Sequence, residues 1–176
     1  GDVYKRQAYA IKLRCTVLRD IGAAASPFNS FQTIQGMETL PLRMERHCEN
    51  ANKVADFLAS HPKVTKVIHP SKQDGESRRR ADTYLKGGYG SLMGFELAGG
   101  KDAGEKFINA LELFYHVANI GDTRSLAIHP ATTTHSQLSE QDRLSSGVTD
   151  GYVRLSIGIE HIDDILADLT QALDKA

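Results

Sequence analysis

The sequence predicts an α/β domain in which helices cover a small β-sheet, and two kinds of hydrophobic periodicity support this prediction. Apolar and polar residues alternate in residues 64–69, 91–97 and 151–160, which is the pattern of a strand with two different faces. Apolar residues recur at helical spacing in residues 51–58 and again in residues 162–173. Because the two patterns follow one another along the chain, a sheet layered against helices is the expected way to bury both.

The composition is that of one globular domain. The chain has 176 residues, of which 40% are hydrophobic and 24% charged, and this is enough for one hydrophobic core. Its 21 basic and 22 acidic residues nearly balance, so we expect no nucleic-acid partner. No apolar run reaches the roughly 18 residues that cross a membrane, and the two cysteines form no paired motif. We therefore expect reduced thiols, no membrane partner and a cytoplasmic location.

The elements are predicted in the order helix, long helix, strand, helix, and then strands with helices between them. Residues 1–7 show no periodicity, and we expect them to be a non-native scar outside the fold. Ser26 and Pro27 are a typical helix start, because serine caps a helix and proline tolerates its first position. The other helix and strand boundaries follow from the spacing of apolar residues and from prolines and glycines that interrupt it. The predicted helices are 8–18, 27–39, a second long helix to about 60, 78–85, 101–111, a short one after Ser139 and one from 162, and the predicted strands are 64–69, 91–97, 113–120, 125–129 and 151–160.

The strand at residues 151–160 carries the first candidate functional residue, Arg154, among apolar neighbours. A guanidinium is costly to bury in a strand unless an anion meets it, and its planar fork fits a carboxylate. The alternative is an arginine that reaches solvent or pairs with a carboxylate of the same protein. Spacing alone leaves both interpretations open.

Other patterns that carry chemistry are weak in this sequence. His129 and His135 flank a threonine-rich loop with no further ligand at zinc spacing, so we predict no metal site. The glycines at positions 87, 88 and 90 precede a strand, which favours a turn over a phosphate-binding loop. We interpret the remaining histidines as structural: His47, His61, His69, His116 and His161.

Several motifs, taken together, resemble one enzyme family over residues 8–176. In chain order they are R-D-I-G at 19–22, S-P-F-N at 26–29, G-M-E-T-L at 36–40, N-I-G-D at 119–122, H-P-A-T-T-T-H at 129–135 and V-R-L-S-I-G-I-E at 153–160. These motifs resemble those of the Cys/Met-metabolism enzymes that depend on pyridoxal 5'-phosphate. The resemblance implies the C-terminal domain of a fold-type I enzyme, with a small, mostly antiparallel sheet covered by helices and preceded by a long linking helix.

The resemblance also implies roles for two residues. In the family, the arginine of the R-L-S-x-G-x-E strand holds the α-carboxylate of the amino-acid substrate, and Arg154 stands at that position. Asn119 stands where relatives have a turn residue that also touches this carboxylate, and asparagine there is typical of O-acetylhomoserine sulfhydrylases. The alternative for Asn119 is a turn residue that tolerates unusual dihedral angles. We predict no catalytic residue, no cofactor-binding residue and no metal ligand in this chain.

The family pattern further implies parts that this sequence lacks. The cofactor is pyridoxal 5'-phosphate, which acts as an electron sink, and its lysine belongs to a larger N-terminal domain. None of the lysines here, such as Lys12, stands in that motif. We therefore expect residues 8–60 to link to the cofactor domain and residues 61–176 to bind the substrate carboxylate. We also expect the chain alone to be inactive and the intact enzyme to be a homotetramer.

The implied reaction of the intact enzyme is γ-replacement on O-acetyl-L-homoserine. Acetate leaves, and sulfide or methanethiol adds, which gives homocysteine or methionine. Within the family, the alternative is a methionine or cystathionine γ-lyase or a cystathionine γ-synthase. From a different class, a stand-alone amino-acid-binding module is also open.

Overall fold

The computed structural model describes residues 8–176, so the predicted scar at residues 1–7 lies outside the described residues. The described residues divide into two compact units, one that ends at Pro41 and one at 42–176. In the first unit, α1 at residues 8–12 continues as a π-helix at Leu13–Ile21, and α2 spans Pro27–Glu38. Ser26 Oγ accepts a hydrogen bond from the Asn29 N–H at 3.1 Å, which confirms the predicted start of α2.

The second unit contains the sheet and the remaining helices. The long helix α3 ends in this unit, and two short 3-10 turns in it begin at prolines, Pro70–Lys72 and Pro130–Thr132. The elements, in chain order, are α3 Leu40–Ser60, β1 Val64–Ile68, α4 Gly75–Tyr84, β2 Leu92–Leu97, α5 Gly100–Ala110, β3 Tyr115–His116, β4 Leu126–Ile128, α6 Glu140–Ser145, β5 Tyr152–Ser156 and α7 Ile162–Lys175.

The five strands form one sheet in the order β1-β2-β5-β4-β3. All neighbouring pairs are antiparallel except β3 and β4, which are parallel. The predicted mostly antiparallel sheet is therefore confirmed. β5 is the central strand, and its Arg154 is paired with Gly94 on one side and Ile128 on the other.

The predicted strand at residues 113–120 is wrong in length, because only Tyr115 and His116 pair with β4. From residue 117 the chain leaves the sheet, and the Val117 N–H bonds back to Tyr115 O at 3.0 Å. The following backbone groups find partners on β5 side chains instead of in a ladder, since Arg154 donates to Ala118 O. Side chains from a distant strand thus satisfy backbone groups that periodicity assigned to a sheet.

The hydrophobic core lies on one face of the sheet. Phe95 of β2 and Phe107 of α5 meet edge to face, with ring centroids 5.3 Å apart. The buried stripe of α3 belongs to this core, together with those of α5 and α7. The compact unit therefore starts at Leu42 and includes most of α3, whereas the sequence-based division begins the C-terminal domain at residue 61.

Candidate functional site

Arg154 lies half-buried on the sheet face opposite the core. Its neighbours Val153 and Leu155 are fully buried on the other face, as the alternation predicts. The guanidinium Nη2 donates a hydrogen bond to Ala118 O at 2.7 Å. Among residues 8–176, no Asp or Glu forms an ion pair with it. Its other N–H groups therefore remain available to an anionic ligand, because a guanidinium has five.

The second predicted residue, Asn119, directly follows the carbonyl that Arg154 holds. Asn119 is exposed on the loop between β3 and β4. Two residues later, the Gly121 N–H donates to Ser156 Oγ at 3.1 Å. The structure thus brings the turn containing Asn119 beside β5, while the role of Asn119 in ligand binding stays a prediction.

Residues that follow β5 in the motif at residues 153–160 contact the C-terminal end of the same loop, at Ser125. Glu160 Oε1 accepts from the Ser125 N–H at 2.6 Å, and Oε2 accepts from the Ser125 hydroxyl at 2.9 Å. Ser125 Oγ in turn accepts from the Gly158 N–H at 2.9 Å. A Cβ on Gly158 would lie 2.2 Å from Glu160 Oε2 and 2.5 Å from Thr123 O, so only glycine fits.

Two buried polar residues of α3 contact the same segment from another side. His47 Nδ1 lies 2.6 Å from Ile157 O, and since a carbonyl only accepts, Nδ1 carries the proton. Asn50 Nδ2 donates to Gly158 O at 3.1 Å and to Glu160 O at 3.0 Å. The sequence interpretation of His47 as structural is confirmed. Asn50 was missed, although an asparagine within the apolar stripe of α3 is a usable signal.

A cavity of about 550 Å³ opens between α4 and the exposed face of β2 and β5. Arg154 and Tyr152 line its floor, with Arg80 and Tyr84 on the α4 side. Burial raises the pKa of Tyr152, so its phenol stays neutral. Among the described residues, no Lys, Asp or Glu lines this cavity. The described residues beside Arg154 fit a carboxylate, but they do not supply a lysine that would bind pyridoxal phosphate or an acid that would face its ring nitrogen.

Other charged groups of the loop pair with one another. Asp122 accepts from the Arg124 N–H at 3.0 Å, and this bond is the main reason that the pKa of Asp122 is lowered. The Arg124 guanidinium lies 4.4 Å from the centroid of the Tyr115 ring. Arg124 is therefore engaged by Asp122 and Tyr115. Of the two arginines that line the cavity, Arg80 pairs with Glu76, whereas Arg154 has no ion-pair partner among residues 8–176.

His129, in the stretch after β4, is engaged within the fold. His129 is buried, and its Nε2 lies 2.7 Å from Asp150 O while Nδ1 lies 2.9 Å from Thr132 Oγ1. Within residues 8–176, no group of three or more His, Cys, Asp or Glu side chains could hold a metal ion. In the same range, no helix combines the length and the apolar character needed to cross a membrane.

The family whose sequence pattern matches is the Cys/Met metabolism PLP-dependent enzymes, over residues 1–174. The chain belongs to this family. It is 54% identical over 167 residues to an O-acetyl-L-homoserine sulfhydrylase of Leptospira meyeri, covering 94% of this chain and 38% of that protein. It is 42% identical over 176 residues to an L-methionine gamma-lyase of Fusobacterium nucleatum subsp. nucleatum, covering 99% of this chain and 44% of that protein.

A solved structure shares the fold. It is a crystal structure from Campylobacter jejuni described as an O-acetylhomoserine (thiol)-lyase with N'-pyridoxyl-lysine-5'-monophosphate. The TM-score is 0.85 and the identity 41%, over 95% of this chain and 40% of that one. The fold-type I assignment and pyridoxal phosphate as the family's cofactor are therefore confirmed. The chain spans about two-fifths of the length of the curated relatives it matches.

Proposed function

We propose that this chain is the substrate-carboxylate-binding part of an O-acetylhomoserine sulfhydrylase. The intact enzyme would replace the acetate of O-acetyl-L-homoserine with sulfide or methanethiol, giving homocysteine or methionine. The observation that carries the proposal is the position of Arg154, which lies on a rigid central strand beside a cavity and has no carboxylate partner among residues 8–176. The 54% identity to a sulfhydrylase supports the choice of reaction.

The residues of this chain would act by binding and orientation. The guanidinium of Arg154 would hold the substrate α-carboxylate through paired charge-assisted hydrogen bonds. Because Nη2 is tied to Ala118 O, the plane of the fork is set before the ligand arrives. The side-chain amide of Asn119 would donate to the same carboxylate from the adjoining turn. Two contacts on one carboxylate fix the direction of the Cα bonds, and such fixed orientation contributes to rate.

Substitution of Arg154 in the full-length protein tests this role. We expect Arg154→Leu to weaken binding of an amino-acid substrate by a few kcal/mol, because a charge-assisted bidentate contact is lost. Steady-state kinetics with O-acetyl-L-homoserine and sulfide measures the effect. Arg79→Leu is the matched control, since Arg79 is exposed on α4, pairs with Glu76 and should leave the Michaelis constant unchanged. Unchanged kinetics in Arg154→Leu would refute the assignment.

A γ-lyase is the second candidate function. The 42% identity to an L-methionine gamma-lyase over the full chain favours it. Both activities would use Arg154 in the same way, so the described site does not distinguish them. Incubating the full-length protein with L-methionine alone, and separately with O-acetyl-L-homoserine plus sulfide, separates the two. Release of methanethiol and 2-oxobutanoate from methionine as the faster reaction would favour the lyase.

We further infer that residues 1–176 alone do not turn over. Within residues 8–176, no lysine lines the cavity beside Arg154, which supports this inference. Pyridoxal phosphate added to the isolated chain, followed by borohydride and peptide mapping, should label no single lysine preferentially. Stoichiometric labelling of one lysine would contradict the inference. The cytoplasmic location and the homotetramer stay predictions, and sedimentation of the full-length protein tests the second.

A further inference from the structure

We propose that Ser156 and Glu160 are positioning residues that set the place of the Asn119 turn relative to Arg154, and thereby the selectivity for a substrate carboxylate. This inference rests on the proposed function of Arg154. The new point is that Arg154, Ser156 and Glu160, all from the motif at residues 153–160, act together on the loop between β3 and β4. We refer to residues 117–125 as the carboxylate loop.

The near end of the carboxylate loop is held by two hydrogen bonds from β5. Arg154 Nη2 donates to Ala118 O at 2.7 Å, and Ser156 Oγ accepts from the Gly121 N–H at 3.1 Å. These two contacts bracket Asn119. Arg154 and Ser156 lie two residues apart on one strand, so their side chains leave the same face. The two hydrogen bonds thereby fix the position of the Asn119 turn relative to the Arg154 guanidinium.

The far end of the loop is held by the segment after β5. The Ile159 N–H donates to Thr123 O at 2.9 Å, and Glu160 accepts from both the N–H and the hydroxyl of Ser125. Ser125 is fully buried, so removing the Glu160 carboxylate would leave a buried backbone N–H without its partner. Glu160 therefore determines where the loop rejoins the sheet at β4.

The segment that holds the loop is itself held from α3. His47 bonds Ile157 O, and Asn50 bonds the carbonyls of Gly158 and Glu160. Both side chains are buried, and each reaches more than 100 residues along the chain. Residues 157–160 therefore cannot shift toward the loop without breaking contacts on the opposite side. The hydrogen bonds from α3 to residues 157–160 therefore also fix the position of the loop that these residues hold.

A fixed loop position has a chemical consequence for the ligand. A carboxylate and a carboxamide have nearly the same shape, but only the carboxylate accepts on both oxygens with full charge. Preference for the carboxylate requires donors from Arg154 and from the turn at Asn119 to converge on it. If the turn moved away, the enzyme would prefer the carboxylate over the carboxamide less strongly, even with Arg154 in place.

The experiment measures this preference directly in the full-length holoenzyme. Competitive inhibition by L-norvaline and by L-norvalinamide gives the ratio of the two inhibition constants for each variant. We expect Ser156→Ala to reduce the preference for the acid roughly fivefold, as for loss of one net hydrogen bond. Gly121 is exposed, so water can replace the lost partner and the melting temperature should change little. Glu160→Gln should reduce the preference less, because its amide oxygen still accepts one hydrogen bond.

Two control variants separate positioning from general stability. Ser146→Ala removes a hydroxyl that donates to Arg143 O on α6, and Asp168→Asn alters a carboxylate that accepts the N–H groups of residues 112–114. Both should leave the acid-to-amide preference unchanged, even where Asp168→Asn lowers the melting temperature. If Arg154→Leu abolishes the preference while both test variants keep it, this inference is wrong and the proposed function stands. If Arg154→Leu also keeps it, the proposed function fails.

Discussion

The two faces of β5 differ in what they contribute. On one face, Val153 and Leu155 are fully buried and pack with Phe95 and Met93 of β2. On the other face, Arg154 is half-buried and borders the cavity. The paired position on β2 is Gly94, and the Tyr152 ring packs where a Cβ on Gly94 would lie. The first face therefore stabilises the fold, and the second leaves room for a ligand.

This difference teaches that a strand can separate stability from function within five residues. Side chains of successive residues point to opposite faces, so a change on one face hardly touches the other. On β5, the side chains that bond the loop at residues 117–125 are Arg154 and Ser156 of the second face. Substitutions that compare the two faces test the separation.

The largest effect should come from the core face. We expect Leu155→Ala to lower the free energy of unfolding by roughly 3 kcal/mol, because a fully buried leucine leaves a cavity. Leu92→Ala is the matched control on the other face, where the leucine is 40% exposed, and it should cost less than about 1.5 kcal/mol. Urea unfolding of the two variants measures both values. Equal costs would show that the two faces are equally packed.

A smaller effect should follow from filling the cavity face at Gly94. A Cβ there would lie 2.3 Å from Tyr152 Cε2, so Gly94→Ala displaces the ring and should cost about 1–3 kcal/mol of unfolding free energy. Tyr152→Leu in the same chain should recover part of this cost, because the clash is with the ring. A double-mutant cycle by urea unfolding gives the coupling. Simple additivity of the two changes would rule out the contact.

The pH dependence of stability should show the smallest effect, and it arises at the strand ends. Burial lowers the pKa of both His69, after β1, and His129, after β4. Unfolding returns each imidazole to its ordinary pKa of about 6.5, so the unfolded chain takes up more protons. The free energy of unfolding is therefore complete above about pH 7 and falls as the pH drops below about 6.5.

Urea midpoints between pH 5 and pH 8 check this sign. His129→Gln should flatten the slope, because glutamine can still donate to Asp150 O but does not titrate. His116→Gln is the control at an exposed histidine and should leave the slope as it is. A midpoint that rises toward pH 5 would contradict the assignment of both buried histidines as neutral.

Most of the fold was predictable from the sequence, and the failures have a shared cause. The strands β1, β2 and β5 and the helix α7 follow from their own periodicity, which reports the burial of each element. The strand predicted at residues 113–120 is limited to Tyr115–His116 in the structure, because the backbone after it bonds side chains of β5 and not a neighbouring strand. Local propensity carries no information about partners so distant in the chain.

The candidate site was predictable only in part. Arg154 could be singled out because a guanidinium among apolar residues is unusual, and family motifs added Asn119. The contacts of Ser156 and Glu160 with the loop could not be deduced, although both residues stand in the same motif. Asn50 is the clearest omission, since its partners Gly158 and Glu160 are more than 100 residues away.

The sequence by itself determined the type and order of most elements, the membership of the family and the choice of Arg154. These properties are written in local spacing and in residue identity, which tertiary contacts do not alter. The tertiary structure alone decided that Arg154 holds Ala118 O and that no side chain fits at Gly158. Such properties depend on strand register and on which loop crosses which face, and one residue of slip would reverse them.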